Sequence, residues 1–220
     1  MERIIIIGAG GHAKVVIDII LHEKKYQLFG LIDNNFPLDH EVLGFKVLGS
    51  DDELSSIIEK NHICGGVIAV GDNYRRYEIF KNIKKINQEF QFINCIHPKS
   101  NIGIDVKIGE GNVVMAGVTV NSSTTIGDHC ILNTNCSIDH DNNISSFTSI
   151  APNAVCGGNV TINQYSAVGI GATILHNITV GTNCIVGANS LVNKDADSNS
   201  VYYGVPAQFI REHQFGCKYL

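Results

Sequence analysis

Two places in this 220-residue chain hold residues that could do chemistry. His140 stands beside Asp141. Imidazole titrates near neutrality and an adjacent carboxylate raises its basicity, so the pair suits general-base work. His176 follows 36 residues later and raises the prospect of a zinc site, which would need a third ligand close by. The segment Asn177-Ile178-Thr179-Val180-Gly181 supplies none, and no metal is expected. Near the start, Gly8-Ala9-Gly10-Gly11-His12-Ala13 follows the apolar run Ile4 to Ile7. A strand that turns straight into a helix there would aim the backbone N–H groups of Gly10, Gly11 and His12 at a phosphate. The same glycines, with Asp33 twenty-five residues on, also pass as a weak dinucleotide fingerprint. A tight turn that binds nothing is the plain alternative.

The elements that carry these residues follow two different periods. From Ile102, steps of six meet Ile108, Val114, Val120, Ile126, Leu132, Ile138, Ile144, Ile150, Cys156, Ile162, Val168, Ile174, Val180, Val186 and Val192. Fifteen of these sixteen positions are Ile, Val or Leu, and the other is a buriable cysteine. Gly, Asn or Asp comes next in twelve of sixteen cases, and is expected to turn corners at angles those residues tolerate. The residue two before is slim, as at Val118, Thr124, Cys130, Ala154 and Ala172. A short strand plus a corner makes one side of a triangular coil, and three sides make an eighteen-residue turn whose aliphatics stack inward. This is the left-handed parallel β-helix, an exception to the right-handed crossover rule.

A prism filled by its own aliphatics binds ligands only outside. With Ile138 inward and Asp139 at the corner, His140 and Asp141 project outward, and His176 shares their face two coils on. The residues alone leave open whether His140 is a base or a solvated surface group. His129, on another side, and His176 read as solvated surface or subunit contacts.

Residues 1–98 instead alternate strand and helix. Strands are expected at Arg3 to Ile7, Leu28 to Ile32, Val67 to Val70 and Phe90 to Ile93, with helices at Ala13 to His22, from the Ser50/Glu53 capping box to about Lys60, and from Tyr74 to Asn87. That alternation implies βαβ units and a Rossmann-like α/β domain ahead of the hexapeptide-repeat domain of 99–220. About four strands are too few for the two halves of a dinucleotide fold, which disfavours an NAD-dependent oxidoreductase. A net charge of −5 without a basic block argues against nucleic acid. No run approaches the ~18 apolar residues of a membrane span. The start reads as a buried strand rather than a signal peptide. Seven scattered cysteines form no C-x-x-C pair, so neither a disulfide framework nor a zinc ribbon is indicated and a reducing cytoplasm is expected.

Gly8-Ala9-Gly10-Gly11-His12-Ala13, Ile96-His97-Pro98, the hexads and Tyr203-Gly204-Val205-Pro206-Ala207 together resemble the bacterial sugar acetyltransferase family. That family includes the N-acetyltransferases of bacillosamine and perosamine synthesis and the sialic acid O-acetyltransferases. The resemblance spans nearly the whole chain. It implies a nucleotide-sugar substrate, acetyl-CoA as co-substrate and a homotrimer with acetyl-CoA between adjacent prisms. It transfers the base role to His140, the basicity-raising role to Asp141 and support of the thioester oxyanion to the Gly158 N–H. Gly10, Gly11 and His12 would hold the sugar nucleotide, Asp33 and Asn34 would lie near its base and ribose, and Gly71 would line the same cleft. Ile170 and Ala188 match coenzyme-lining positions. Ser149 stands where many relatives have a histidine near the coenzyme, so that contact is altered here. The activity implied is N-acetylation of a UDP-, dTDP- or GDP-linked 4-amino sugar. O-acetylation of the sialic acid type and a catalytically silent trimeric scaffold are the alternatives.

Overall fold

A computed structural model of the chain describes residues 1–218. The front domain runs β1 (Arg3–Ile7), α1 (Gly11–Glu23), β2 (Gln27–Ile32), β3 (Glu41–Val42), β4 (Phe45–Gly49), α2 (Leu54–Asn61), β5 (Ile63–Ile68), α3 (Asn73–Ile86) and β6 (Gln91–Phe92). Its sheet is six-stranded, in the order β3-β4-β2-β1-β5-β6. All pairs are parallel except β3–β4. The expected count of about four strands therefore falls short. The missing pair is a hairpin closed by Leu43 (φ 50°) and Gly44 (φ 84°). Leucine is not a residue that announces such a turn. The third expected strand also starts earlier, at Ile63, because Gly65 and Gly66 sit inside β5. An added Cβ at Gly66 would lie 2.5 Å from the Ile5 carbonyl oxygen, so the strands themselves demand glycine there.

Without β3, the strand order is that of a doubly wound sheet, whose direction switches beside β1. Four isoleucines in a row suit that central strand, which is covered on both faces. Ile4 to Ile7 are all buried. Ligands in such sheets bind at the carboxyl ends of the strands beside the switch, where the loops after β1, β2 and β5 meet.

Behind it stands a three-sided left-handed coil. Each rung is two residues long, and the rungs up to Thr173–Ile174 pair in parallel with the rung eighteen residues on, as Val113–Val114 does with Ile131–Leu132; at the C-terminal end the spacing shortens to sixteen, as between Ile185 and Val201. The rungs form three sheets, of which one is extended by the C-terminal hairpin Ser200–Gly204 and Ala207–Glu212. The first paired rung is Cys95–Ile96. The stepped aliphatics from Val114 to Val192 are buried, whereas Ile102 is 39% exposed because no earlier coil covers it. The slim residues two before them form a second inward column. Thr124 and Ser166 in that column are buried, and their hydroxyls donate to backbone carbonyls of the next coil. Cys130, Cys136, Cys156 and Cys184 are buried thiols. Burial pushes the Cys130 thiol up to about 11 and that of Cys156 to about 12, out of reach as nucleophiles.

The corners correct one expectation. The left-handed conformation falls three residues after each aliphatic, not one: Asn135, Asp141, Asn153, Asn159, Asn177, Asn183 and Asn189 have φ between 54° and 59°. The glycines directly after the aliphatics answer to close stacking instead. A Cβ on Gly169 would lie 2.6 Å from the Val186 oxygen, and one on Gly181 would lie 2.4 Å from the Ser198 nitrogen.

Candidate active site

His140 occupies a corner between Ile138, which is fully buried, and Asp141 in the left-handed conformation. That turn brings the Asp141 carboxylate back to the ring, with Oδ2 2.7 Å from His140 Nδ1. A carboxylate only accepts, so Nδ1 carries the proton and Nε2 keeps its lone pair. The Asp141 hydrogen bond, helped by the nearby Asp139 charge, raises the pKa of His140 above its ordinary value. Asp139 is fixed in turn: its Oδ1 accepts from the His140 N–H at 2.8 Å and from Asn121 Nδ2 at 2.9 Å. These bonds hold its carboxyl below the usual range. His140 and Asp141 are about 60% exposed, so the ring looks outward.

Gly158 lies one coil on, directly against this ring. A Cβ there would be 2.7 Å from His140 Cε1. At equivalent corners a side chain caps the outward N–H, as Asp139 does for His140 and Ser146 for Asp128. Gly157 precedes Gly158 and has no side chain to do so. Among the described residues no acceptor pairs with the Gly158 N–H. An open donor beside an oriented base is what an acyl-transfer centre requires. His176 and Asn177 complete this groove two coils on.

One residue of the corner carries no sequence signal. Asn142 is buried in the second inward column, and its Nδ2 donates to the carbonyls of Asp139 (2.7 Å), His140 (3.2 Å) and Gly157 (2.9 Å). Its Oδ1 accepts from the Val160 N–H at 3.1 Å. Asn142 thus stitches the His140 corner to the Gly157-Gly158 corner from inside.

Two further clefts meet across the domain boundary. At the end of the front sheet, Gly10, Gly11, His12, Asp33 and Gly71 line one hollow. No side chain caps α1, and a Cβ on Gly10 or Gly11 would meet nothing within 4 Å. The Ala13 N–H bonds the Gly10 carbonyl, whereas among the described residues no acceptor pairs with the N–H groups of Gly10, Gly11 and His12, which border this hollow as an anion site would require. Asp33 shapes the hollow: its two oxygens accept from the Ala9 N–H (2.7 Å) and the Asn35 N–H (2.8 Å). Asn34 points elsewhere, locked reciprocally to Asp51 at 2.8 Å in both directions, in an adjoining pocket with Arg75. The second cleft, of about 340 Å³, runs along one coil face and is lined by His12, Gly71, Ser149, Ile170 and Ala188 among others. His12 and Gly71 border both clefts. The His12 Nε2 is buried without a hydrogen-bond partner. Burial, with the Arg76 charge, pushes its pKa down to about 4, so the ring is neutral at neutral pH.

The structure does not unite all these residues in one chain. Among the described residues none lines both the His140 groove and the coil cleft, which lie on different sides of the prism. His129 is likewise not where the sequence suggested. It is fully buried, packed on Phe80, Phe92 and Phe147, because the front domain covers that edge of the coil. Asp18, His22 and His97 bring three possible ligand atoms within 4.8 Å. The His97 Nδ1 accepts the Lys99 N–H at 3.0 Å, however, which leaves the proton on its other nitrogen and spoils the ring as a metal ligand.

Comparison with known proteins adds to this geometry. The family model described as PglD N-terminal domain matches residues 3–83, and the one described as Bacterial transferase hexapeptide (six repeats) matches residues 105–140. PerB from Caulobacter crescentus, solved in complex with CoA and GDP-perosamine, is 32% identical with a TM-score of 0.89, the match covering 96% of this chain and 98% of PerB. The acetyltransferase domain of PglB from Neisseria gonorrhoeae is 30% identical with a TM-score of 0.87, covering 96% of this chain and all of that domain (100%). The GDP-perosamine N-acetyltransferase of Escherichia coli O157:H7 is 27% identical over 173 residues, 77% of this chain and 76% of that protein. A doubly wound front domain, a left-handed coil and an outward His–Asp corner accompany these matches, and the chain belongs to the bacterial sugar acetyltransferase family with a left-handed β-helix.

Proposed function

We propose that this acetyltransferase moves the acetyl group of acetyl-CoA to the amine of a nucleotide-linked 4-amino sugar. The observation that carries the reading is the junction of the two clefts at His12 and Gly71. A diphosphate held at the uncapped start of α1 would direct its sugar along the wall of the coil cleft. Gly10, Gly11 and His12 hold that diphosphate. Asp33 shapes the hollow, and Asn34 borders the adjoining pocket for the base. The long apolar cleft with Ile170 and Ala188 takes the pantetheine arm, and Ser149 sits at its inner edge.

His140 lies on another side of the prism, so the base reaches a donor cleft only in a neighbouring copy. A closed ring of three chains satisfies every such pairing at once, which supports a homotrimer. In that assembly the amine nitrogen attacks the thioester carbonyl carbon while His140 Nε2 takes the amine proton and Asp141 stabilises the imidazolium. The Gly158 N–H donates to the oxyanion. The intermediate collapses, the C–S bond breaks, and the imidazolium proton goes to the departing CoA sulfur. A buried cysteine carrier has no part, so transfer is direct. GDP-perosamine, the sugar named with the relatives, favours a GDP-linked acceptor, with UDP- and dTDP-linked 4-amino sugars as the other candidates.

The test is thiol release from acetyl-CoA on adding UDP-, dTDP- and GDP-linked 4-amino sugars, with free sialic acid alongside. Release with an amino sugar is expected. Release with sialic acid alone would move the assignment to a hydroxyl acceptor, and silence with every acceptor would leave a binding scaffold.

A further inference from the structure

The joint between the domains is built around one cation. Arg76, on α3, is 1% exposed, and its guanidinium reaches four separate segments of chain. Nη1 donates to the carbonyls of Val70 (2.9 Å) and Gly71 (3.0 Å), the loop that borders both clefts. Nε donates to the His129 carbonyl at 2.7 Å. Nη2 donates to Asn73 Oδ1 at 2.6 Å and to Ser149 Oγ at 3.3 Å. Asn73 completes the pin, since its Oδ1 also accepts from Ser149 Oγ (2.6 Å) and its Nδ2 donates to the carbonyls of Tyr165 (3.2 Å) and Ser166 (2.9 Å). One guanidinium and one carboxamide therefore tie the Val70-Gly71 loop to three successive coils.

Burying an arginine is costly, and a packed apolar joint would hold two domains together as well. A planar fork has a property that apolar packing lacks: it fixes direction as well as proximity. The loop it fixes lies where the nucleotide hollow opens, and the hydroxyl it fixes lies on the donor cleft. Neither Arg76 nor Asn73 lines either cleft.

We propose that Arg76 is a positioning residue that couples the two substrate sites, holding the Gly71 loop and Ser149 in one register so that amine and thioester meet at reacting distance. The proposal rests on the two-substrate reading above. Because both sites share the pin, occupancy of one changes affinity at the other, by the fivefold or more typical of coupled sites.

The test uses the full-length protein and CoA titrations in the presence and absence of GDP, UDP and dTDP, each in turn. In the wild type the nucleotide that binds is expected to change the CoA dissociation constant at least about fivefold. Arg76→Lys keeps the charge but cannot span five acceptors, and its coupling should fall to within about twofold while the affinity for each ligand alone stays near wild type. Its turnover should drop about 10- to 100-fold, as a small misplacement of substrates predicts. Ser149→Ala removes only the cleft-side arm and should lose part of the coupling. The ratio of affinities cancels any direct contact of the hydroxyl with CoA, so this variant carries the test if Arg76→Lys does not fold. Equal coupling in wild type and variants, or none in the wild type, overturns the proposal. Coupling that persists in a wild type with no acetyl transfer to any acceptor would sink the functional reading and leave the coupling standing.

Discussion

Two edges of the same coil put the same backbone position to opposite uses. On the edge of His140, the left-handed residues are Asp105, Ser123, Asp141, Asn159 and Asn177, types that tolerate this conformation and face solvent. On the edge against the front domain, the three central ones, between Gly111 and Asn183, are His129, Phe147 and Tyr165, with φ of 54–63°. Aromatic residues are poor choices for such angles, and each costs on the order of a kcal/mol there. They persist because their rings stack in a ladder, His129 on Phe147 at 5.0 Å and Phe147 on Tyr165 at 5.8 Å, against Tyr77, Phe80 and Phe92. The hexad specifies the scaffold only. What stands at each left-handed corner is set by what covers that edge: solvent on one, a second domain on the other.

The contrast can be broken from either side. The largest effect is expected on the exposed edge. His140→Ala should lower turnover about 10²- to 10⁴-fold, with nucleotide affinity unchanged in a titration of the same protein. Most of the activity surviving would remove His140 from the mechanism. Gly158→Ala comes next. Its φ is unremarkable, but the new methyl meets the His140 ring at 2.7 Å, and displacement of the base should cost roughly 10²-fold in turnover at intact melting temperature.

Asp141→Asn sharpens the electrostatic claim. The carboxylate raises the pKa of His140, and in the proposed mechanism the neutral ring is the working form, so the rate should climb as pH rises through that pKa. Removing the charge should shift the acid limb of the pH–rate profile to lower pH while the plateau falls about tenfold. A limb that stays in place would mean that another group titrates.

The smallest effect is expected on the covered edge, and it concerns stability. Burial pushes the His129 pKa down to about 3, with Arg76 adding to the shift. The unfolded chain takes up a proton near pH 6.5 and the folded chain does not. The folded state therefore loses stability as pH falls through that window, on the order of 2 kcal/mol by pH 5. His129→Phe should reduce that slope in urea melts between pH 7 and 5, the buried His12 still supplying a similar part, and leave turnover unaltered. An unchanged slope would show that His129 is not the group responsible.

How much of this was legible in the sequence differs between the same two regions. The coil could be read because the stepped aliphatics from Val114 on share one fate, burial in a column that repeats every eighteen residues. His140 followed from it, since an inward Ile138 leaves the corner facing out. The front domain gave weaker signals. Leu43-Gly44 hides a hairpin because leucine seldom takes that turn, and the glycines of β5 blurred a strand edge. His129 misled because nothing local tells a covered corner from a bare one; that depends on Phe80 and Phe92, some forty to fifty residues away. Asn142 was invisible for a related reason. A polar residue at an inward position looks like an irregularity until its four backbone partners are known.

The strict eighteen-residue register also limits how such a chain can change length. Losing one hexad anywhere ahead of Gly158 but after His140 would leave the prism closed and its column filled. Every outward group downstream would nonetheless rotate by one face, and the backbone donor would part from its imidazole. Only whole turns can be added or removed without scrambling the surface, so drift in length is confined to the two ends and to excursions at the corners.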